Sequence, residues 1–367
     1  MKRVGFVGCG NICDIYMRNI KEIFKDLKII GVTDLVHERA HNKASEYGIK
    51  KVYKDMHELL SDPDIDIVLN LSRPYEHFTV TMAALTANKH VYTEKPLGAL
   101  FGEAEKIMAL AKKKNLRVGG APDTFLGAGL QTCRKLIDDG FIGDVLGASA
   151  YMVCRGHESW HPDPEFYYKY GGGPMLDMGP YYLTALVSLL GPVKTVAGMT
   201  KASFPERTIT SQPQYGKVIT VDVPTYVTGL MNFHNGVIGT IFTTFDVFTA
   251  QVPRIEIYGS EGTLSVPDPN YFRGPVRLFR AGSEDFAEIP LLFEYSENSR
   301  GLGLADMAKA IENGRNARAS GELMLHINEI MTGFEKASEE KTFVDIQSFI
   351  ERPAPMEIPK LRGIFDS

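Results

Sequence analysis

Two short stretches of this sequence carry side chains of the right kind and spacing to move a proton. In "GGGPMLDMGPYY" Asp177 stands four residues before Tyr181. That spacing sets a carboxylate and a phenol on one face of a helix. Glycines just ahead let the backbone approach another group closely. Read alone, the stretch is also an ordinary helix start, because Asp is favoured in a first turn. In "TEKP" Lys95 sits between Glu94 and Pro96, unlike a solvated helix lysine. An ammonium held there would grip a hydroxyl and keep a neighbouring acid ionised. A plain Glu–Lys surface pair is the alternative from this fragment. Tyr182 leaves the register open by one residue, and i+4 faces Asp177 better than i+5.

A second group of residues suits a dinucleotide. "GFVGCGNICDIY" contains Gly8-Cys9-Gly10-Asn11-Ile12-Cys13, with Cys where a third glycine is usual. Gly8 and Gly10 serve a tight turn and the approach of a pyrophosphate, with Asn11 and Ile12 opening the helix behind it. Cys13 is small enough for helix-to-strand packing. Asp34, followed by Leu35, closes the next strand 24 residues past Gly10 (34 − 10). A carboxylate there accepts the ribose 2′-hydroxyl and repels a 2′-phosphate, so NAD is expected ahead of NADP. A flavodoxin-like domain with a solvated Asp is the competing reading. Asn70, Ser72 and His77 in "NLSRPYEH", and Glu94, Lys95 and Pro96, fall at strand ends, where open parallel sheets bind ligands.

The elements that must position these groups alternate up to about residue 122. "RVGFVG", "KIIGVTDL", "IDIVLNLS", "HVYTEKP" and "LRVGGAP" read as strands. Helices lie between them, one stopping at Gly48 and one spanning "FGEAEKIMALAKKKN". This predicts a doubly wound parallel Rossmann sheet over residues 1–122. Residues 123–367 are expected to form a second α/β domain for substrate and oligomerisation, with a large open, mostly antiparallel sheet. There "YVTGLMNF", "GVIGTIFTTFDVF", "RIEIYG" and "GTLSV" are separated by hairpin signals at "HNG" and "GSEG". The stretch from Lys201 to Lys217 reads as a mobile loop. Two helices close the chain.

Composition excludes other classes. With 44% hydrophobic and 23% charged residues the chain is globular, and 367 residues suit two domains. A net charge of −5 gives no general attraction to nucleic acid or anionic membrane. No apolar run is long enough to span a bilayer. Cys9, Cys13, Cys133 and Cys154 lack paired spacing, which predicts reduced thiols and a cytoplasmic protein. No metal site is expected.

Taken together, Gly8 and Gly10, Glu94-Lys95-Pro96 and "GGGPMLDMGPYY", in this order, resemble the Gfo/Idh/MocA oxidoreductases over nearly the whole chain. The resemblance implies NAD(P) between the two domains and a homodimer or homotetramer joined through the large sheet. It implies Lys95 and Asp177 beside the nicotinamide, often with a cis Lys95–Pro96 bond. Many members carry a histidine acid/base four residues after the aspartate. Here that position is Tyr181, as in the glucose–fructose oxidoreductase and dihydrodiol or xylose dehydrogenase branches. A phenol does acid–base work when a nearby cation stabilises its deprotonated form. Where many members have an Asn-Arg segment this chain has "APDTFLGAG", which would turn Asp123 and Thr124 toward the nicotinamide.

The loop "CRGHESWHPDPEFYYKY" offers Arg155, His157, Trp160 and His161 to a sugar's hydroxyls and C–H faces. A packed interdomain loop is the alternative. The expected activity is an NAD-dependent dehydrogenase or reductase acting on a secondary alcohol of a sugar, polyol or related cyclic compound. Two rivals are an NAD-recycling epimerase, lyase or glycosidase, and a non-catalytic NAD-binding sensor.

Overall fold

A computed structural model describes residues 1–358. Six apolar segments form the first sheet: β1 (Lys2–Val7), β2 (Leu27–Thr33), β3 (Lys51–Val52), β4 (Ile67–Asn70), β5 (His90–Thr93) and β6 (Val118–Gly120). Every pairing is parallel and the order is β3-β2-β1-β4-β5-β6. Such strands are buried on both faces, and Val4, Phe6, Ile67, Val68, Leu69 and Val91 are fully enclosed. Helices α1 (Cys13–Glu22), α2 (His37–Tyr47), α3 (Met56–Ser61), α4 (His77–Thr86) and α5 (Phe101–Lys114) connect them. Gly48 ends α2 in the left-handed region at φ 64°. Strand order reverses between β1 and β4, opening a crevice at their carboxyl ends. The edge strand β3 and helix α3 were not foreseen from the sequence; each is only a few residues long.

After α6 (Ala128–Asp138) the chain builds β7 (Val145–Val153), the long helix α7 (Gly173–Leu190) and β8 (Val193–Lys201). A small hairpin, β9 (Glu206–Thr208) and β10 (Val218–Thr220), precedes β11 (Tyr226–Phe233), β12 (Ile238–Thr244), β13 (Ile255–Gly259), β14 (Gly262–Val266), β15 (Val276–Arg280) and β16 (Ala287–Ile289). Helices α8 (Leu302–Asn313) and α9 (Gly321–Glu340) and strand β17 (Val344–Asp345) follow. The nine-stranded sheet runs β16-β15-β14-β13-β7-β12-β11-β8-β17, antiparallel except for β7 beside β12. Its buried face packs against α7 and α9. Residues 319–320 return to the first sheet: Gly119 bridges Ser320, and Gly120 N donates to Ala319 O.

Residues 201–217 differ from the expected mobile loop. The β9–β10 hairpin clamps the segment after β7. Thr210 N and Ser211 N donate to Glu158 O, and Gln214 Nε2 reaches Asp163 Oδ1 at 3.1 Å. No helix among the described residues is long and apolar enough to cross a membrane.

Candidate active site

The crevice begins with the glycine turn after β1. Gly8 has φ +103°, and a Cβ there would lie 2.6 Å from Leu71 O, so only glycine fits. A Cβ on Gly10 would meet nothing within 4 Å, which leaves that side of the turn open. No side chain caps α1 at its N-cap Ile12; Cys13 N donates to Gly10 O at 3.1 Å, and the following N–H groups of the first turn have no partner within the helix, as an anion site needs. Cys13 is buried at the third motif position, and burial pushes its thiol up to about 12. Asp34 Oδ2 accepts from Cys9 N and Oδ1 from Val36 N, both at 2.7 Å. The carboxylate is thus fixed against the glycine turn, with acceptor capacity left over. Leu35 is exposed beside it, and Asn11 is exposed on the turn. Open glycine, uncapped helix and fixed carboxylate fit a dinucleotide.

The strand-end loops are tied inward. Asn70 is fully buried, and its Oδ1 accepts from Ser72 Oγ at 2.6 Å. His77 differs from the expected ligand-facing residue. It is buried between Pro96 O at 2.7 Å and Ser72 O at 3.0 Å, so it ties the loops after β4 and β5 together. Burial pulls its pKa down. Glu94 Oε1 accepts from the buried Tyr16 hydroxyl at 2.8 Å, and the Lys95–Pro96 bond is cis.

Opposite these loops α7 begins at Gly173, whose φ of +87° suits glycine alone. Pro180 cannot donate within the helix and loosens this turn. Here Lys95 Nζ donates to Asp177 O at 2.6 Å and to Asp177 Oδ1 at 2.8 Å. The same ammonium lies 5.3 Å from the centre of the Tyr181 ring. Burial works against the charge on Lys95, but Asp177 and Tyr181 outweigh it and hold its pKa above the usual value. Tyr182 turns into the core at 1% exposure, and burial raises its phenol pKa. Tyr181 is therefore the tyrosine beside Lys95.

Sequence reasoning missed Arg300, just ahead of α8. Its Nη1 donates to Asn298 Oδ1 at 2.8 Å and its Nη2 to Asn270 Oδ1 at 2.9 Å. Burial opposes its charge, and the adjoining Tyr181 phenol and Asp123 carboxylate more than restore it. Its only sequence signal is an arginine before a glycine at a helix start.

Asp123 and Thr124 differ from expectation. Both are buried, and Asp123 Oδ2 accepts from Gly301 N at 2.9 Å and Gly303 N at 3.0 Å. Asp123 is a cap for α8, and burial lifts its carboxyl to about 6. Arg155 also points elsewhere, packed between the rings of Phe204 and Phe248. Trp160 is 62% exposed, and His161 Nδ1 accepts from Asp163 N. His157 alone of that loop's predicted residues reaches the site, with Nε2 3.6 Å from Asp177 Oδ2.

Residues 2–120 match the profile described as "Oxidoreductase family, NAD-binding Rossmann fold", and residues 130–265 match the "GFO/IDH/MocA C-terminal domain". The chain belongs to the Gfo/Idh/MocA oxidoreductase family. Among relatives, the myo-inositol 2-dehydrogenase of Thermotoga maritima is 25% identical over 71% of this chain and 74% of its own. The D-xylose dehydrogenase of Paenarthrobacter nicotinovorans is 28% identical over 45% of this chain and 44% of its own. The structure of levoglucosan dehydrogenase with NADH and levoglucosan shares the fold, with TM-score 0.80 and 20% identity, over 95% of this chain and all of that one. This Gfo/Idh/MocA member is accordingly an NAD-dependent oxidoreductase.

Proposed function

We propose that the protein oxidises a secondary alcohol of a sugar or polyol, with Lys95, Asp177 and Tyr181 as the reacting set. The observation that carries this reading is the Lys95 ammonium, fixed by Asp177 and lying against Tyr181 at the carboxyl end of β5. The names of the inositol, xylose and levoglucosan dehydrogenases support the substrate class. Bound NAD supplies the hydride acceptor. Lys95 holds the substrate hydroxyl and stabilises the alkoxide as charge develops. Tyr181 takes the hydroxyl proton, with Arg300 beside its phenol. Asp177 keeps Lys95 aimed, while Gly8, Gly10 and Asp34 seat the dinucleotide. The products are a ketone, NADH and a proton.

NADH absorbance with NAD and myo-inositol, D-xylose or levoglucosan tests this, alongside the Tyr181→Phe and Tyr182→Phe variants. Tyr181→Phe should lower kcat by about 10²–10⁴. Activity kept in that variant and lost in Tyr182→Phe would overturn the assignment. Product without net NADH would instead mark internal recycling.

The open face of the large sheet exposes Met199, Leu230, Ile238 and Tyr258. Strand register puts all four on one side. Large apolar side chains exposed together on one face of this kind support a homodimer through the sheet. Ile238→Glu should yield a monomer by light scattering. All four cysteines are free, which supports a cytoplasmic location.

A further inference from the structure

Two cations border the Tyr181 phenol, and the protein pairs only one of them. Lys95 Nζ is matched by a carboxylate, 2.8 Å from Asp177 Oδ1. Arg300 is not. Its Nη1 donates to Asn298 Oδ1 at 2.8 Å, and its Nη2 to Asn270 Oδ1 at 2.9 Å and Asn270 O at 3.3 Å. Each acceptor is an uncharged carbonyl. The acids that act on it are engaged elsewhere. Asp123 Oδ2 is taken by the Gly301 and Gly303 amides, and Glu94 by the Tyr16 hydroxyl and the Lys95 amide. They steady the guanidinium from a distance, and no carboxylate among the described residues bonds to it.

The segment that carries this charge is firmly held. Asn19, buried on α1, donates from Nδ2 to Asn298 O and to Arg300 O, both at 2.8 Å. A Cβ on Gly301 would lie 3.5 Å from the Tyr16 ring, so the backbone is packed on the same helix. The side chain, by contrast, keeps capacity in hand. It uses three of the five N–H donors of a guanidinium. Arg300 Nε and the Tyr181 hydroxyl bond to nothing among the described residues, and neither atom is sealed from solvent. A half-buried cation with neutral partners and spare donors is a receptor for an anion. One guanidinium with two free donors suits a singly charged carboxylate better than a phosphate dianion.

We propose that Arg300 is the receptor for a carboxylate on the substrate, so that sugar acids rather than neutral sugars are the substrate class. This rests on oxidation at Lys95 and Tyr181, the groups it adjoins.

Calorimetry on the NADH-saturated enzyme, where alcohol oxidation cannot run, reads the preference. The ligands are two matched pairs, D-gluconate with D-glucitol and D-glucuronate with D-glucose, together with D-glucose 6-phosphate. In at least one pair the acid should bind about tenfold more tightly than its neutral match, the strength of one charge-assisted hydrogen bond. Arg300→Gln should erase that gap by weakening the acid, and Arg300→Lys, which keeps the charge, should restore part of it. Asn270 and Asn298 both reach water, so either variant should fold. No gap in either wild-type pair, a gap kept in Arg300→Gln, or equal weakening of acid and neutral match overturns the receptor. So does tighter binding of the phosphate than of both acids, or a loss in Arg300→Gln that falls on NADH instead. NADH formation from NAD with D-gluconate and D-glucuronate is followed in parallel. Silence there with the acid gap intact refutes the oxidation and leaves the receptor standing.

Discussion

Removing the Arg207 guanidinium should cost more stability than any surface change, and it should loosen the loop that carries His157. Arg207 sits in β9 with a side chain 3% exposed, between Glu158 at 13% and Asp246 at 4%. Nη1 donates to Glu158 Oε1 at 2.8 Å, while Nη2 bonds Asp246 and donates to Phe245 O at 3.0 Å. Glu158 in turn accepts from the Tyr168 hydroxyl. Arg207→Met leaves two carboxylates facing an apolar stem with no cation between them. Breaking a buried pair in this way costs about 3–5 kcal/mol. Set against a total stability of roughly 5–15 kcal/mol, that lowers the melting temperature by on the order of 10 °C. Thermal melts followed by circular dichroism read the loss, and KM for the substrate should rise because Glu158 adjoins His157. Neutralising both acids in the triple variant Arg207→Met, Glu158→Gln, Asp246→Asn should recover most of the deficit, since the penalty lies in the unpaired charges. A single variant melting within a degree or two of wild type, or a triple variant no better than the single, refutes the reasoning.

Three further outcomes are expected. Gly8→Ala meets both a φ of +103° and a contact of 2.6 Å with Leu71 O, so it should cost about 1–3 kcal/mol and weaken NADH binding by fluorescence titration. Asp34→Ala frees the Cys9 and Val36 amides and the ribose, so the NAD-over-NADP ratio of kcat/KM should fall at least about tenfold. An unchanged ratio refutes the ribose role. Asp123, lifted by burial to about 6, binds its proton more tightly folded than unfolded. Its contribution to stability is complete below about pH 4 and is lost as pH rises toward 6, by at most about 3 kcal/mol. Urea midpoints of Asp123→Asn should lack that decline, and equal pH slopes in the two proteins would count against it.

What could be read from the sequence is what lies close together along it. Gly8 and Gly10, Lys95 between Glu94 and Pro96, and the Asp177–Tyr181 pair each sit in one short motif whose backbone geometry follows from local rules. Asp123 was misjudged because its partners, Gly301 and Gly303, come from the far end of the chain. Arg300 was overlooked for the same reason: nothing near it in sequence shows that Tyr181 adjoins it. His77 has the composition of a ligand-facing residue, and only the two carbonyls closing on it turn it inward. Residues 201–217 have no periodic pattern because only Ile209 among them reaches the core as a buried apolar side chain, and the rest are held by another loop. Arg207, in the middle of them, makes its charged contacts with residues 158 and 246.

The return of residues 319–320 to β6 sets an order of events during synthesis. The first six strands emerge from the ribosome early, yet the β6 edge stays bare until almost the whole chain has been made. Gly119 is shaped for that late partner, since a Cβ there would lie 2.7 Å from Ala319 O. Until α8 and α9 arrive, the nascent amino-terminal unit carries an unpaired strand edge, the feature that recruits other chains. A ribosome stalled anywhere in the large sheet would hold out a nearly complete nucleotide-binding unit with one sticky side, which makes that interval the point at which chaperones have most to do.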